Sequence, residues 1–257
     1  MTPAPLSIVL ITKNAGHLLA PCLESVDFAD EVVLVDCGSA DNTLEIAWKY
    51  NARTIHQPWL GFGPQKQFAV EKATHDWVLC LDADERVSRE LKISILEILK
   101  TTPCKAYEFP RRNRFLGRWL KHGEGYPDYN LRLFHRDHAR WSSDPIHEKV
   151  ITREPVGRLV GDLLHESEQT IADYLHKQNI YTSLQAEALY ASGRVASPWR
   201  MVSSPVLRFI KFYLLRLGFL DGVPGLIHIA IGSCNSFFKY AKLYAKHRTK
   251  PQPARDT

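Results

Sequence analysis

Short apolar runs alternate with segments of helical spacing along the first hundred residues of the chain. The runs are rich in Val, Ile and Leu and are bounded by polar or turn-forming residues, which is typical of buried strands. Strands are predicted at residues 7–12, 31–36, 53–56 and 77–82, and helices at 15–26, 41–50, 64–73 and 88–99. Asp41 and Ser88 stand where they can cap two of these helices. This alternation predicts a parallel α/β sheet covered on both faces.

The pattern changes after Pro103. Weaker strand candidates at residues 106–110, 131–135 and 149–152 lie in a stretch rich in Arg, His, Trp and Gly, a composition typical of loops that build a site on a rigid scaffold. A helical pattern returns at 171–190, and from Pro205 onward the chain is both apolar and basic. We expect an α/β domain over residues 1–170, a helical, amphipathic extension over 171–250 and a flexible tail over 251–257.

Composition narrows the class of protein. With 257 residues, 45% hydrophobic and 24% charged, the chain has a globular composition, which excludes a disordered or disulfide-stapled protein. Its five cysteines are scattered without a CxxC pair, and this favours a reducing compartment. The first apolar run is too short for a signal peptide and lacks a basic start, so we expect a cytoplasmic protein.

Charge is unevenly distributed along the chain. The net charge is +5, yet residues 194–257 hold eleven Lys and Arg against two acids, so this segment carries +9 and the remainder −4. A basic segment on a mildly acidic body indicates a polyanionic partner for that segment alone, either a membrane surface or nucleic acid. Nucleic acid is disfavoured because the chain has no helix-turn-helix, zinc-finger or RNA-binding signature.

Two predicted strands end in carboxylates. Asp36 closes VVLVD, and Asp82 closes WVLCLD with Asp84 two residues later. In an open parallel sheet the ligand crevice lies at the carboxyl ends of the strands, so these acids are expected to face one cleft, where Asp82 and Asp84 can converge on a divalent cation and a diphosphate. The alternative is that they form turns or cap helices. A dinucleotide fold is disfavoured because no GxGxxG follows the first strand.

Several motifs carry a resemblance to a known family. The succession of Thr12-Lys13-Asn14, DCGSADNT at 36–43, GFGPQKQ at 61–67 and LCLDADE at 79–85 resembles the family 2 glycosyltransferases of the nucleotide-diphospho-sugar (GT-A) type. Within this family, the chain resembles small bacterial enzymes that glycosylate the inner core of lipopolysaccharide, in particular the glucosyltransferases that act on the first heptose. The segments that carry this resemblance are TKN, YPDYNLRLFHR and IHE. The resemblance implies a GT-A fold, a Rossmann-like, mostly parallel sheet with a C-terminal helical extension.

The resemblance also implies an activity and a donor site. It implies inverting transfer of a hexose, with glucose favoured, from a UDP-sugar to a lipopolysaccharide core heptose, assisted by Mg²⁺ or Mn²⁺. The residues that it places near the nucleotide are Thr12, Asn14, Asp36, Gln65, Lys66 and Asp82. Asp36 would accept a hydrogen bond from uracil, and Asp84 would bind the metal with Asp82. A carboxylate suits the uracil N–H because it only accepts, and a lysine suits a diphosphate.

The general base has three candidates. Inverting transfer needs a base opposite the departing diphosphate to take the proton of the acceptor hydroxyl. The candidates are Asp128 in GYPDYN and Asp144 and Glu148 in SSDPIHE. The family often carries a Glu-Asp pair here, which this chain lacks, and His147-Glu148 occupies the corresponding place. We favour Glu148; the alternative is a structural ion pair between Glu148 and Arg132 or Arg136.

Two further groups have both a functional and a structural interpretation. His165 is a candidate for a third metal ligand, although a lone histidine is more often a hydrogen-bonded structural residue. The basic and aromatic cluster formed by Arg111, Arg112, Arg114 and Trp119 suits a phosphorylated acceptor because the arginine fork matches phosphate geometry. The alternative is a solvated loop whose arginines pair with surface acids.

The basic C-terminal segment has the pattern of helices that lie in a membrane interface. Residues 205–220 are apolar except for Arg208, Lys211 and Arg216, which fall within about 140° of a helical wheel. A second basic face, spanning about 80°, comprises Lys239, Lys242, Lys246 and Lys250. The longest uncharged run, 222–238, is shorter than the roughly 20 residues that a crossing needs. We expect a peripheral protein on the inner face of the cytoplasmic membrane with a lipid-linked acceptor. The alternative is that these helices pack on the catalytic domain.

Other functions stay open from the sequence alone. The acceptor of such a transferase could be another surface polysaccharide or lipid. A divalent-metal phosphohydrolase would use Asp82 as a nucleophile beside Asp84, but such enzymes usually carry this pair on the first strand, and here it follows the fourth. A non-catalytic membrane adaptor that keeps the fold is the third alternative.

Overall fold

The computed structural model describes residues 3–144, 148–166 and 170–248. The contacts within it divide the chain into two compact units. The first unit comprises residues 1–113 and 128–166, and the second comprises residues 114–127 and 167–257. The segment 114–127 therefore packs with the C-terminal helices although it interrupts the first unit in sequence. The roles assigned to the predicted domains stay predictions.

The first unit is built around a mixed sheet. The strands of the chain, in order, are β1 (Leu6–Thr12), β2 (Glu31–Asp36), β3 (Arg53–His56), β4 (Trp77–Asp82), β5 (Glu85–Val87), β6 (Ala106–Phe115), β7 (Arg118–Trp119), β8 (Asp128–His135), β9 (Ala139–Trp141), β10 (Val150–Thr152), β11 (Val156–Arg158) and β12 (Leu163–Glu166). The sheet order is β3-β2-β1-β4-β8-β6-β12-β5; β11 pairs with β6, and β9 and β10 form a separate hairpin. The last residues of β6 pair with β7 in the second unit.

The four predicted strands of the N-terminal half form the parallel part of this sheet. β1 lies between β2 and β4 and pairs with both in parallel, and β2 pairs in parallel with β3. The register sets Thr12 opposite Asp36 and Ile11 opposite Asp82. The carboxyl ends of these strands therefore meet at one edge, as predicted for the two acids. β8 and β6 add an antiparallel part beyond β4.

Helices cover both faces of the sheet. In the first unit they are α1 (Gly16–Glu24), α2 (Thr43–Lys49), α3 (Phe62–Lys72) and α4 (Arg89–Ile98). Alternate β1 residues point to opposite faces: Ile8 and Leu10 join the core with residues of α1 and α4, and Val9 joins the core with α3. The predicted cap at Ser88 is present, because its hydroxyl accepts from the Leu91 N–H at 3.2 Å.

Glu31 fastens the amino ends of the central strands. Its carboxylate accepts hydrogen bonds from the Ser7 hydroxyl at 2.6 Å and from the Thr74 backbone N–H at 2.7 Å, and it pairs with Arg53 at 2.8 Å. Burial alone would raise the pKa of Glu31, but the bonds from Ser7, Thr74 and Arg53 together lower it from 4.5 to about 2. The folded state therefore holds this carboxylate ionised far more strongly than the unfolded chain does.

We expect the Glu31 contacts to give a pH-dependent stability. A depressed folded-state pKa contributes stability that is complete above the unfolded pKa and is lost as pH falls from about 4.5 to about 2. Glu31→Gln should lower the free energy of unfolding by about 2–3 kcal/mol at pH 7 and flatten its decline across that window. Urea unfolding at several pH values checks this, with the exposed Glu45→Gln as the matched control. Equal pH slopes for both variants would contradict it.

The second unit is helical. It contains α5 (Ile171–Ala191), α6 (Pro198–Phe209), a π-helical continuation (Ile210–Leu215), a short 3₁₀ turn (Gly218–Asp221) and α7 (Gly222–Arg248). Asp221 directly precedes α7 in sequence and is buried. Its carboxylate accepts hydrogen bonds from the backbone N–H groups of Lys121 and His122 at 2.9 and 2.8 Å. These bonds attach the segment 114–127 to the helices.

The basic side chains of this unit do not share one outward face. Arg208 pairs with Glu124, Lys242 donates to oxygens of Asn179, Thr182 and Ser183, and Lys246 pairs with Glu187 at 3.2 Å. These three residues are therefore engaged by contacts within the unit, and the membrane role of the two basic faces stays a prediction. Lys211 and Arg216 remain exposed, and Lys250 lies outside the described residues.

Within the described residues, no single helix combines the length and the apolar character that a membrane crossing requires. Residues 198–215 and 218–248 reach that threshold only as a pair, across a 73° bend.

Candidate active site

Asp36 ends β2 in a tightly hydrogen-bonded turn. Its two oxygens accept from the Thr12 hydroxyl at 3.1 Å, from the backbone N–H groups of Gly38 and Ser39 at 2.8 Å, and from the Ser39 hydroxyl. Burial alone would raise the pKa of Asp36, but these bonds lower it below its ordinary value. The turn-forming interpretation of Asp36 is therefore confirmed. Because these bonds use the carboxylate's four lone-pair positions, a uracil contact, which stays a prediction, requires one hydroxyl to turn away.

Asn14 and Gln65 hold the loops beside this edge. Asn14 adopts a left-handed conformation with φ 51°, and its side-chain oxygen accepts from the Ala40 N–H at 2.8 Å. Gln65 is fully buried on α3; it accepts from the Leu60 N–H and donates to the Gln57 carbonyl, each at 3.2 Å. Both residues thus shape the loops in which the sequence places a nucleotide. Their direct contact with a nucleotide stays a prediction.

Lys66 joins two of the predicted functional acids. Its ammonium lies 3.0 Å from an Asp82 oxygen and 3.3 Å from a Glu148 oxygen, and it sits over the Trp141 ring at 4.8 Å from the ring centroid. Only 7% of the lysine side chain is exposed, so both ion pairs form in a largely dry environment. The structure therefore brings together residues separated by 82 positions in sequence, Lys66 and Glu148.

A buried Arg–Glu pair supports Asp82 from the other side. Arg132 on β8 contacts Asp82 at 3.0 Å and Glu85 at 3.4 Å, and its guanidinium also lies over Trp141. Glu85 is fully buried and accepts from the Asp82 backbone N–H at 3.0 Å. Burial alone would raise the pKa of Asp82, but Lys66 and Arg132 hold it well below its ordinary range. Asp82 is therefore a carboxylate clamped between two cations.

Asp84 has a different neighbour, His165 on β12. One Asp84 oxygen lies 3.2 Å from the His165 Nε2, and the other is buried without a hydrogen-bond partner among the described residues. The His165 Nδ1 lies 2.6 Å from the side-chain oxygen of Asn113. A proton on Nδ1 donated to the Asn113 oxygen would leave the Nε2 lone pair of the neutral ring on the side of Asp84, which is the tautomer that a metal ligand requires.

This pair suits a hard divalent cation. Mn²⁺ and Mg²⁺ take carboxylate oxygen, and Mn²⁺ also accepts imidazole, with substrate oxygens completing the shell. The unpartnered Asp84 oxygen is the acceptor that such an ion would satisfy. The site also carries two formal negative charges in excess, since five carboxylates accompany Lys66, Arg111 and Arg132. The carboxylates are Asp82, Asp84, Glu85, Asp128 and Glu148.

The predicted sharing of one cation by Asp82 and Asp84 stays a prediction. Asp82 is ion-paired with Lys66 and Arg132, whereas Asp84 lies beside His165. Across residues 3–144, 148–166 and 170–248, no three His, Cys, Asp or Glu side chains cluster as a complete metal site.

The three candidate bases have distinct surroundings. Glu148 is mostly buried and forms an ion pair, as the structural alternative predicted, but its partner is Lys66 and not Arg132 or Arg136. Asp128 pairs with Arg111 at 2.9 Å, and Asp144 is exposed. His147 lies outside the described residues. Of the three candidates, Glu148 is the one that contacts Lys66, which is ion-paired with Asp82.

The three arginines of β6 have different partners. Arg111 pairs with Asp128 at 2.9 Å and Arg112 with Asp162 at 3.4 Å, which matches the alternative in which acids neutralise them. Arg114 belongs to the second unit and lies over the Trp119 ring, 5.9 Å from its centroid. The Arg114–Trp119 contact of the predicted cluster is thus present, and binding of a phosphorylated acceptor by these residues stays a prediction.

Sequence reasoning missed the roles of three residues in this site: Glu85, Arg132 and Asn113. Glu85 stands within the LCLDADE motif, and Arg132 is a lone cation among apolar residues of a predicted strand, so both had a signal. A charged residue in a buried strand requires a partner of opposite charge. Asn113 had no signal, because its contact with His165 joins residues 52 positions apart.

Comparison with known proteins identifies the class. A model of glycosyl transferase family 2 matches residues 7–156, which include every predicted site residue except His165. The chain therefore belongs to glycosyl transferase family 2; the predicted resemblance, the glycosyltransferase activity and the GT-A fold class with C-terminal helices are confirmed. The phosphohydrolase and non-catalytic alternatives are set aside.

Particular relatives cover nearly the whole chain. The lipopolysaccharide core biosynthesis glycosyltransferase LpsC of Rhizobium meliloti (strain 1021) is 30% identical over 257 residues, which span 97% of this chain and 95% of LpsC. The uncharacterized glycosyltransferase RT0209 of Rickettsia typhi (strain ATCC VR-144 / Wilmington) is 30% identical over 93% of this chain and 86% of that protein.

Two solved structures show weaker similarity. S. aureus TarS 1–349 in complex with UDP has a TM-score of 0.46 at 14% identity and covers 96% of this chain and 93% of its own. Glucosyl-3-phosphoglycerate synthase from Mycobacterium tuberculosis, in complex with Mn²⁺, UDP and glucosyl-3-phosphoglycerate, has a TM-score of 0.47 at 16% identity and covers 76% and 82%.

Proposed function

We propose that this glycosyltransferase moves a hexose, with glucose favoured, from a UDP-sugar onto a heptose of the lipopolysaccharide core with inversion. The acceptor assignment is supported by the similarity to LpsC along nearly the full length of both chains. The chemical assignment is supported by one arrangement: Lys66 holds Asp82 and Glu148 together at the sheet edge where the strands end.

The residues of this edge would divide the reaction between them. Glu148 takes the proton of the acceptor hydroxyl as that oxygen attacks the anomeric carbon. Asp84 and His165 would hold a divalent ion, which when bound supplies charge neutralisation for the departing diphosphate. Lys66 and Arg132 add fixed positive charge beside Asp82, and the buried Arg132 Nη1 has no hydrogen-bond partner among the described residues.

A donor and acceptor panel tests the activity. Purified enzyme should transfer radiolabelled sugar from UDP-glucose to lipopolysaccharide truncated after the first heptose, and transfer should be far weaker from UDP-galactose, UDP-N-acetylglucosamine and GDP-mannose. Transfer only to another surface glycan or lipid would reassign the acceptor. Preference for a guanosine or thymidine sugar nucleotide would contradict the donor assignment.

We expect Asp84→Asn to weaken metal binding in the presence of UDP by about tenfold or more, because it removes the charge of the carboxylate oxygen that lacks a protein partner. Electron paramagnetic resonance titration of Mn²⁺ with and without UDP measures this independently of turnover. Asp137→Asn, an exposed turn residue, serves as the control. UDP binding that is indifferent both to Mn²⁺ and to Asp84→Asn would overturn the metal assignment.

We also propose that the helical unit docks on the inner face of the cytoplasmic membrane. A series of large apolar side chains in this unit is at least 38% exposed: Trp199, Val202, Val206, Leu207, Ile210, Leu214, Leu215, Leu217, Phe219, Leu220, Val223 and Leu226. A run of this size exceeds ordinary surface scatter. Lys211 and Arg216 are exposed within it, and the acid of this stretch, Asp221, is buried, so charge complementarity favours an anionic bilayer.

Removing two of the exposed apolar residues should release the protein from vesicles. Leu214→Ser/Leu215→Ser is expected to lower partition onto vesicles containing phosphatidylglycerol by about tenfold or more. The reason is that the favourable free energy of moving two leucine side chains from water into the membrane interface is lost. Vesicle flotation measures the partition. Ile93→Ser/Val160→Ser removes two equally exposed apolar side chains from the first unit and is the matched control. Equal partition of the two double variants would refute docking through this surface.

A further inference from the structure

The helical unit contains a polar recess where helices usually pack through apolar side chains. The recess encloses about 70 Å³ and is lined by residues of three helices: Gln178, Tyr181, Thr182 and Gln185 from α5, Arg208 from α6, and Asn235, Ser236 and Lys239 from α7. The α5 residues share one face, since their spacing is that of successive helical turns. A water molecule needs only about 10–15 Å³ of such space, so the recess admits a larger group.

Charge in the recess is unbalanced toward positive. Its lining includes two cations, Arg208 and Lys239, and no acid. Glu124 pairs with Arg208. In the part of the chain that the structure describes, no acidic side chain lies within ion-pair distance of Lys239. Burial and the neighbouring Arg208 lower the pKa of Lys239, as expected for an ammonium without a counter-ion.

Hydrogen bonds within the unit already use several polar groups of this lining. The side-chain oxygen of Gln178 already accepts from the Asn235 amide at 2.7 Å, and the Thr182 hydroxyl accepts from Lys242 at 2.8 Å. The protein thus uses acceptors of the lining internally. The ammonium of Lys239 and the amide of Gln185 remain available as donors.

We propose that this recess binds a single phosphate group, held by the Lys239 ammonium beside Arg208 and oriented by the Gln185 amide and the Tyr181 hydroxyl of α5. Lysine supplies a point charge suited to a tetrahedral oxyanion, and Arg208, whose Nε and Nη2 pair with Glu124, keeps Nη1 as a further donor. A half-buried polar lining costs stability relative to an apolar one unless its groups are paired, and a bound phosphate supplies acceptor oxygens. The site is separate from the proposed donor site and does not rest on the transfer reaction.

Two sources of phosphate are distinguishable: the free ion and the phosphomonoester of a lipid headgroup. The first arm titrates the full-length protein with inorganic phosphate by calorimetry. Lys239→Met is expected to weaken this binding by about tenfold or more, because a hydrogen bond between charged groups is lost. Lys246→Met removes the same charge from the same helix outside the recess and should leave the affinity within about twofold of wild type. Lys66→Met removes a cation of the catalytic site and should also retain this binding.

The second arm compares flotation on phosphatidylcholine vesicles with and without phosphatidic acid. If the phosphate belongs to a lipid, Lys239→Met loses binding to the phosphatidic acid vesicles by about tenfold, and Lys246→Met does not. Loss confined to Lys239→Met in either arm supports the site and names its source. Equal behaviour of Lys239→Met and Lys246→Met in both arms overturns it. Should Lys239→Met fail to fold, Gln185→Leu removes a donor without changing charge and is read against the same control.

Discussion

Replacement of Glu148 by glutamine is expected to lower kcat by about a hundred- to ten-thousandfold, the usual contribution of a positioned general base. Glutamine keeps the shape of the side chain and a carbonyl oxygen for Lys66, which lies 3.3 Å from the glutamate oxygen. The donor site should therefore survive, and the KM for the UDP-sugar should change by about threefold at most. Steady-state kinetics with the heptose acceptor measures both constants.

Two carboxylate variants make the Glu148 prediction specific. Asp144→Asn changes an exposed acid of the same motif and should retain wild-type kcat. Asp128→Asn removes the partner of Arg111, a contact outside the Lys66 pairs, and should cost far less than Glu148→Gln. A large loss of kcat in Asp128→Asn combined with near-normal turnover in Glu148→Gln would move the base from Glu148 to Asp128.

The N-terminal half of the fold is accessible to sequence reasoning because its signals are local. The strands ending at Asp36 and Asp82 are apolar runs buried on both faces, and such runs are characteristic of parallel strands. The strands β5 and β12 were missed because each is at most four residues long and contains charged residues. The charged residues of these strands are explained by the antiparallel pairing of β5 with β12, which places Glu85 and His165 at the site.

The candidate site was predictable to the extent that strand ends define it. The shared edge of Asp36 and Asp82 follows from parallel pairing alone. The different surroundings of Asp82 and Asp84 do not follow from strand pairing. They depend on Lys66, Arg132 and His165, which lie far from the two acids in sequence. The motif placed both acids at one cation, and the structure gives them different partners.

The helical unit shows why a helical wheel is insufficient. A wheel places the lysines of α7 on one side but does not indicate whether that side meets solvent or another helix. Lys242 is directed to α5, where it finds four neutral oxygens. A run of apolar side chains between Trp199 and Leu226 is exposed in the same unit. The polar contacts between the helices underlie the proposed phosphate site, and the exposed apolar run underlies the proposed membrane docking.

Glu85→Leu is expected to destabilise the first unit by about 3–5 kcal/mol, the usual cost of removing one partner of a buried ion pair. Glu85 has no exposed surface and lies 3.4 Å from the buried Arg132, whose remaining counter-ion would be Asp82. The substitution also leaves the Asp82 backbone N–H without its 3.0 Å acceptor. Glu85→Gln retains that acceptor and should cost less, about 1–3 kcal/mol.

A double-mutant cycle separates the ion pair from packing. Denaturant unfolding should show that Glu85→Leu/Arg132→Met is more stable than Glu85→Leu, because removing both charges leaves no uncompensated buried ion. Glu90→Leu, an exposed acid five residues later in the chain, should change stability by less than about 0.5 kcal/mol. The double variant should nevertheless transfer sugar poorly, since Arg132 supports Asp82. A Glu85→Leu protein as stable as Glu90→Leu would show that the buried charges at this edge of the sheet do not depend on one another.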